Sequence, residues 1–552
     1  MPKNILIAAA WPYANGSLHL GHVAGLLGAD ILARYFRLNG DNVLYVSGSD
    51  CHGTPIAVEA EKQGVPPAEI ANKYHEEFRN TLIDGLNFSY DNYTRTTTEN
   101  HKKVVQDLFL KLYNKGYIYT KTEKLAFCSK CQRFLPDRYI EGVCPKCDFN
   151  NARGDQCDNC GNLLNPIDLK KPRCKICNHE PEWRDSEHFF LKFSPFAKEL
   201  KKRAEKLGDS WRVNAKNFTI QLLEQGFNDR AITRDTDWGI EIPLPGFETK
   251  RIYVWFEAVC GYLSASIEYS NSINEPNKWK EFWENKKAMH YYVHGKDNIP
   301  FHTIIWPSIL LGAGELHLPD VIVSSEYLTL EHKQFSKSRH WMISLPDFLA
   351  GFDADTLRYY LVVCGPENSD ADFSWVDYAS KVNNEMIGNF GNLVNRVLSQ
   401  VKNNFPEKLN QPKKFGAEDK ILLDLAESTF KSVGEAIVKA HFRDGIREIF
   451  KLVDAANKYL NDAAPWKKIK ESREDAERTL FVGAQVIKCL AILIEPYLPS
   501  SAEKIQQMLN LEKSDSTWQY PKLEDIVVNE IAPLYKRIEP EQIENEKAKL
   551  GK

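Results

Sequence analysis

The 552-residue sequence predicts a parallel α/β sheet domain, interrupted by a cysteine-rich insertion and followed by an all-helical bundle. Three observations carry this reading. Strand and helix patterns alternate in β-α-β order from the N-terminus. Four Cys-x-x-Cys pairs crowd into one 50-residue stretch. Beyond about residue 380 strand patterns fade while helical periodicity continues.

Residues 4–10 read as a buried strand, and Tyr13 to His22 as a Gly- and Asn-bearing loop. A helix is expected from His19 to Leu38, because Val23, Leu26, Leu27, Ile31, Leu32, Tyr35 and Phe36 recur at helical spacing. Asn39-Gly40-Asp41-Asn42 stops it, and Val43–Val46 is the next strand. This βαβ unit should have a right-handed crossover. Further helices fit residues 66–85 and 99–115. The pattern resumes near Arg251 with strands at Ile252–Phe256 and Tyr291–Val293, an apolar helix over Phe301–Leu311, and Val321–Val323 closing the sheet. One sheet is thus built from residues 1–117 and 250–325 and split by an insertion of 118–249. A connecting region, 326–380, leads to a helical domain over 381–538, with periodic stretches at 381–403, 417–462, 473–494 and 500–511. The polar tail 539–552 is expected to fray.

Composition narrows the function. Basic and acidic residues number 71 and 75, for a net charge of −4, so a nucleic-acid partner would have to meet a local basic face. No apolar run approaches the roughly 18 residues of a membrane span. Lys3 followed by Ile5–Ala10 imitates a small export signal, but the run is short and ends in Trp11-Pro12-Tyr13. The cytosol is the expected location, with no membrane partner. In a long chain of that compartment, paired cysteines point to metal and not to disulfides. The pairs are Cys128/Cys131, Cys144/Cys147, Cys157/Cys160 and Cys174/Cys177. Tetrahedral zinc takes four thiolates, and each Cys-x-x-Cys supplies two from one tight turn. Two structural Zn²⁺ ions are expected, in knuckles over about 126–180, with sequential or nested pairing.

Two motifs carry chemistry. Pro12-Tyr13-Ala14-Asn15-Gly16-Ser17-Leu18-His19-Leu20-Gly21-His22 lies where the first strand hands over to the first helix. Ligands of open α/β sheets bind at that edge, and the helix end offers N–H groups to phosphate. His19 and His22 share one helix face, and Gly21 lets a flat base lie against the backbone. Far downstream, Gln334-Phe335-Ser336-Lys337-Ser338 places a mobile cation, Lys337, where it can stabilise a phosphoryl transition state. Taken singly, either motif could be a plain surface feature.

Together they resemble the HIGH and KMSKS motifs of class I aminoacyl-tRNA synthetases. Ala10-Trp11-Pro12-Tyr13-Ala14-Asn15-Gly16, Asp50-Cys51-His52-Gly53-Thr54-Pro55-Ile56, Val254-Trp255-Phe256-Glu257-Ala258, Gly295-Lys296-Asp297-Asn298 and Ala464-Pro465-Trp466 follow in the order seen in methionyl-tRNA synthetases. The resemblance covers nearly the whole chain. It implies a Rossmann-type catalytic domain with a zinc-knuckle insertion, a stem-contact region at 326–380 holding the KMSKS-like loop, and an all-α anticodon-binding bundle. It implies activation of L-methionine by Mg²⁺-ATP to methionyl-adenylate, then transfer to the 3′-terminal adenosine of initiator and elongator tRNA-Met.

Residue by residue, the resemblance assigns His19, His22 and Lys337 to catalysis. Tyr13, Gly16, His19, Gly21, His22, Gly295, Ser336 and Lys337 would meet ATP, with Arg234 a further candidate on that side. Ala10, Tyr13, Trp255, Ala258, Tyr262 and His302 would enclose the methionine side chain, as suits a soft thioether against aromatic edges. Asp50 would hold its ammonium. Asn392, Arg396 and Trp466 would read the CAU anticodon. The nested pairing of cysteines is favoured, with Cys144, Cys147, Cys157 and Cys160 on one ion and Cys128, Cys131, Cys174 and Cys177 on the other. Departures from the family pattern stand at Val259, Cys260, Asn298 and Gln334. A leucyl-type enzyme would need a larger editing insertion, and a cysteinyl-type enzyme an open zinc site beside the first motif. A monomer is expected.

Overall fold

The computed structural model describes residues 2–136, 139–154, 157, 159–160, 164, 166–512 and 517–552. Its N-terminal sheet is organised by strands whose two faces are both apolar. In β1 (Asn4–Ala9) Ile5, Ile7 and Ala9 enter one core while Leu6 and Ala8 enter another. Burial of both faces is what a central parallel strand requires. β1 pairs in parallel with β2 (Asn42–Ser49) on one side and β4 (Met289–Gly295) on the other. β3 (Asn92–Arg95) and β5 (Val321–Ser325) are the edges, giving the order β5-β4-β1-β2-β3 among the described residues. The chain moves outward from β1 in one direction, then restarts at β4 in the other. The switch point therefore lies at the carboxyl ends of β1 and β4, where open α/β sheets take their ligands. Helix α1 (Leu20–Leu38) starts there.

The insertion begins as a long antiparallel arm, Ile118–Cys128 against Glu182–Leu191. All eight paired cysteines gather at the far end of the arm, in or against a small separate core. The chain returns through helices Ala197–Leu207 and Val213–Gln225.

Three expectations need correction. The strand expected at Ile252–Phe256 is only Arg251–Ile252; a helix, α2 (Val254–Ser272), follows at once. Its N-terminal turns are buried on several sides, so Val254-Trp255-Phe256 shows no amphipathic stripe and imitates a β-rich run. The periodic stretch 417–462 is two helices, Ala417–Val438 and α4 (Phe442–Ala463), broken where Ala440 takes a φ of +55°. The tail does not fray: Pro540–Lys549 is a helix that buries Ile543. β3 and a helix at Thr54–Gln63 were not anticipated.

Helix α3 (Asn392–Asn404), α4 and the short α5 (Pro465–Glu471) belong to the C-terminal bundle. Arg358, fully buried, ties this bundle to α1. Its guanidinium donates to Tyr497 O at 2.7 Å, Pro496 O at 3.1 Å and Leu86 O at 3.2 Å, and to Asp30 Oδ2 at 2.7 Å. Asp30 also accepts from Arg34 and from Ser89, and these partners hold its carboxyl well below the usual range despite burial. Among the described residues no helix is long and apolar enough to cross a membrane.

Candidate active site

The first turn of α1 is capped by histidines. Gly21 N–H donates to His19 Nδ1 at 3.2 Å, and His19 N–H donates to His22 Nδ1 at 3.0 Å. With each Nδ1 accepting, each ring carries its proton on Nε2 and keeps an N–H donor for a ligand. Burial, their mutual proximity and the Lys337 charge hold His19 well below the usual histidine range; burial and Lys337 bring His22 to about 4. At neutral pH both are therefore neutral N–H donors at a helix N-terminus, an arrangement suited to an anion.

The second motif folds onto the first. The Phe335 ring lies flat on His19, with centroids 4.5 Å apart and 5° between planes. Lys337 Nζ reaches Gly16 so closely that a Cβ there would stand 2.3 Å away. Gly16, at φ +156°, has both a permissive backbone and the space that this amine fills. A Cβ on Gly21 would meet the His19 ring at 3.0 Å. The loop is pinned by Ser336 and Trp341, which exchange backbone hydrogen bonds of 2.9 Å. Burial lowers the Lys337 pKa, against the pull of Glu59 and Glu77. A cleft at this edge is lined by Ala10, His19, Gly21, His22, Gly295 and Phe335.

The proposed methionine side lies on the other flank of the β1 loop. Trp255, Ala258 and Tyr262 sit at i, i+3 and i+7 of α2 and so share one face. Trp255 stacks on Phe301 at 3.8 Å and meets Tyr13 edge-on at 5.9 Å. Tyr262 Oη and His302 Nε2 are 2.7 Å apart, and His302 Nδ1 is 2.8 Å from Asn298 O. His302 therefore donates through Nδ1 and accepts the tyrosine hydroxyl at Nε2. Asn298, one of the departures, contributes through its backbone carbonyl. Asp50 is buried beside Tyr13, and burial plus the Glu257 charge raise its pKa well above the usual value. Arg234 lies over Tyr253 at 3.8 Å and faces a cavity with Tyr13, His52 and Trp255, away from the histidine cleft.

In the bundle, Arg396 lies 5.3 Å from the Trp466 ring and donates to Asn457 and Asn461, each at 2.8 Å. Trp466 is 37% exposed, and Asn392 is exposed one turn before Arg396. The cysteines group as the nested pattern has it: Cys128, Cys131, Cys174 and Cys177 in one set, Cys144, Cys147, Cys157 and Cys160 in the other. Two sulfur pairs in each set stand 3.4 to 3.9 Å apart, and all four sulfurs of a set lie within 4.8 Å of one another. A disulfide needs about 2.05 Å, whereas sulfurs tetrahedral around a metal 2.3 Å away stand about 3.8 Å apart. The eight thiols thus fit two four-sulfur metal sites.

Sequence reasoning missed several partners: Phe335 on His19, Phe301 on Trp255, Glu257 at 2.6 Å from His52 Nδ1, and Asn457 and Asn461 beneath Arg396. Two of these had a visible signal. Phe335 stands inside the motif, and Asn457 and Asn461 are four apart on one helix face.

Residues 5–398 match the family model described as tRNA synthetases class I (M), and residues 410–545 match the anticodon binding domain of methionyl tRNA ligase. Methionine–tRNA ligases of Bacillus cereus and Bacillus anthracis are each 46% identical over 549 residues, 99% of this chain and 99% of theirs. The chain belongs to the methionyl-tRNA synthetase family. The fold agrees: a Mycobacterium tuberculosis methionyl-tRNA synthetase solved with methionyl-adenylate matches 97% of this chain and 100% of its own, at a TM-score of 0.79 and 22% identity. This member of the methionyl-tRNA synthetase family thus has the class I catalytic sheet with, after it, the helical anticodon-binding domain of its relatives.

Proposed function

We propose that this synthetase performs its family's two-step reaction with the residues assembled above. Methionine carboxylate attacks the α-phosphorus of ATP and pyrophosphate leaves; the terminal adenosine of tRNA-Met then takes the methionyl group from the adenylate. The observation that carries this is the meeting of the two motifs, with Lys337 over Gly16 and Phe335 on His19. It puts a cation and two N–H donors around one point, as a phosphate in transit requires. His19, His22 and Lys337 act on the phosphates; Tyr13, Gly16, Gly21, Gly295 and Ser336 shape the nucleotide side. Ala10, Tyr13, Trp255, Ala258, Tyr262 and His302 hold the side chain, and Asp50 the ammonium. Arg234 lies nearer the methionine flank than the sequence suggested. The raised pKa of Asp50 suits a group that ionises fully when an ammonium arrives.

Asn392, Arg396 and Trp466 read the anticodon. Zn²⁺ is the ion we assign to the two cysteine sets. Four thiolates leave no open position, so such an ion supplies rigidity and no chemistry. Mg²⁺ accompanies ATP. The catalytic halves are 1–117 and 250–325, the insertion 118–249, the stem-contact region 326–380 and the anticodon domain 381–538. We place the enzyme in the cytosol as a monomer, acting on initiator and elongator tRNA-Met. Pyrophosphate exchange run with each amino acid separately tests the reading. Exchange with methionine alone is expected; exchange with another amino acid, or with none, overturns it.

A further inference from the structure

Lys337 can act on a phosphate only while its loop holds it over Gly16, so the shape of that loop bears on the adenylation rate. The shape is not one the loop would keep unaided. Lys337–Arg339 form one tight turn, closed by His340 at φ +50°. A left-handed residue other than glycine persists only where its surroundings over-determine it. Trp341 follows and is the post around which the loop closes. It exchanges backbone hydrogen bonds with Ser336, donates through Nε1 to Leu330 O at 2.8 Å, and carries Lys333 Nζ 4.1 Å from its ring.

A further partner comes from more than two hundred positions away. Gly551 N–H donates to His340 O at 2.9 Å, and a Cβ on Gly551 would stand 3.6 Å from the Trp341 indole. We infer that Leu550-Gly551 is a clasp that positions the Lys337 loop for adenylation, with Gly551 as the positioning residue. The inference rests on the reading of Lys337 as a phosphate-side residue. Gly551 meets no substrate; it holds the carbonyl that ends the Lys337 turn, and so raises the share of enzyme whose loop is closed.

Several features hold the clasp in place. Gly551 has φ +80°, a backbone that favours glycine, although the space beside it would admit a Cβ. Leu550 and Trp341 both pack, half-buried, against the core that takes the apolar face of α1. The helix Pro540–Lys549, which delivers the clasp, lies against the helix Trp375–Lys381. Its approach is tied reciprocally: Ile538 N–H donates to Asn383 Oδ1 at 3.0 Å, and Asn383 Nδ2 donates to Ile538 O at 2.8 Å. The start of the loop stands on the same base. The N–H of Trp375, a fully buried residue, donates to Glu331 Oε1 at 2.9 Å, and Glu331 N–H donates to Phe373 O at 2.9 Å. Loop and clasp thus share one support, and the Gly551–His340 bond closes the ring of contacts around the Lys337 turn.

Gly551→Pro in the full-length chain tests this. Proline has no N–H and cannot reach φ +80°, whereas Leu550, at φ −70° and ψ 127°, already has the conformation that precedes a proline. The variant therefore opens the clasp and spares the helix before it. Loss of a contact on the scale of one hydrogen bond should lower kcat for methionine-dependent pyrophosphate exchange about three- to tenfold, with the KM for methionine within about twofold and the melting temperature unchanged. Trypsin should cut the unliganded variant at Lys333, Lys337 or Arg339 several times faster than the unmodified chain. Gly551→Asn keeps the N–H and tolerates a left-handed backbone, so it should match the unmodified enzyme in both assays. Unchanged exchange in Gly551→Pro overturns the inference, and so does slower exchange with an unchanged cleavage rate. An equal loss in Gly551→Asn, a raised methionine KM or a lowered melting temperature would also overturn it, by making the contact one of general packing. If Lys337→Ala left exchange intact, the phosphate-side reading of Lys337 would be what fails.

Discussion

Trp466→Ala probes the distant reader. The indole sits on α5, a seven-residue helix whose buried residue is Pro465, and 37% of it is exposed. The left-handed Ala464, at φ +44°, turns α5 away from the end of α4 and leaves the ring facing outward. A stacked base contributes ~1–3 kcal/mol and an exposed cation–π contact about 0.5–1 kcal/mol. Both disappear with the ring, although Arg396 keeps its two asparagine bonds. The kcat/KM for tRNA should therefore fall roughly ten- to a hundred-fold, at ~1.4 kcal/mol per decade. The stability cost should stay below the ~3–5 kcal/mol of a fully buried aromatic. Steady-state charging, pyrophosphate exchange and a thermal melt read these separately. Exchange should remain near the unmodified level, because α5 lies outside the sheet. If exchange and charging fall together and the melting temperature drops, Trp466 is a packing residue and the anticodon reading is wrong.

Other predictions address the catalytic half and the insertion. Lys337→Ala should slow adenylation by orders of magnitude while the methionine Kd barely moves, the pattern of a contact made in the transition state; normal rate with weak methionine binding would sink that role. Metal analysis should find two zinc ions per chain. Cys144→Ser should lose one of them and destabilise the insertion while methionine still binds; an unchanged metal content would show that Cys144 is no ligand. His22, brought down to about 4 by burial and Lys337, stays neutral while an unfolded histidine protonates near 6.5. Its contribution to stability is therefore complete above pH 6.5 and is lost as pH falls toward 4. His22→Asn should flatten the melting temperature between pH 4 and 6.5 relative to the unmodified protein; identical pH profiles would refute the assignment.

How far the sequence could be read depends on which physical pattern each element leaves. β1 and α1 were legible because a two-sided apolar strand and a one-sided apolar helix differ in period, and Asn39-Gly40 marks where α1 stops. The eight cysteines were legible as candidate metal ligands because four Cys-x-x-Cys pairs in one short stretch supply two sets of four thiolates, but spacing alone left their pairing open. The group within 4.8 Å of one another is set by how the antiparallel arm folds back, a tertiary fact. α2 was misread for the reason that makes it useful. One of its faces carries Trp255, Ala258 and Tyr262, the side chains proposed to close the methionine side, while Phe256, Glu257 and Val259 pack inward, so few polar residues remain to reveal a 3.6-residue period. The spacing of those three pocket residues, three and then four, was itself a helical signature. It was visible only once they were considered as a set, since a strand would have placed Trp255 and Ala258 on opposite faces. The partner of Phe335 was hidden in another way. The flat contact of Phe335 with His19 joins segments more than three hundred positions apart, and no local pattern encodes which ring a loop residue will meet. Pairwise contacts between loops are the part of a site that sequence period cannot carry, and here they are the contacts that bring Lys337 to Gly16.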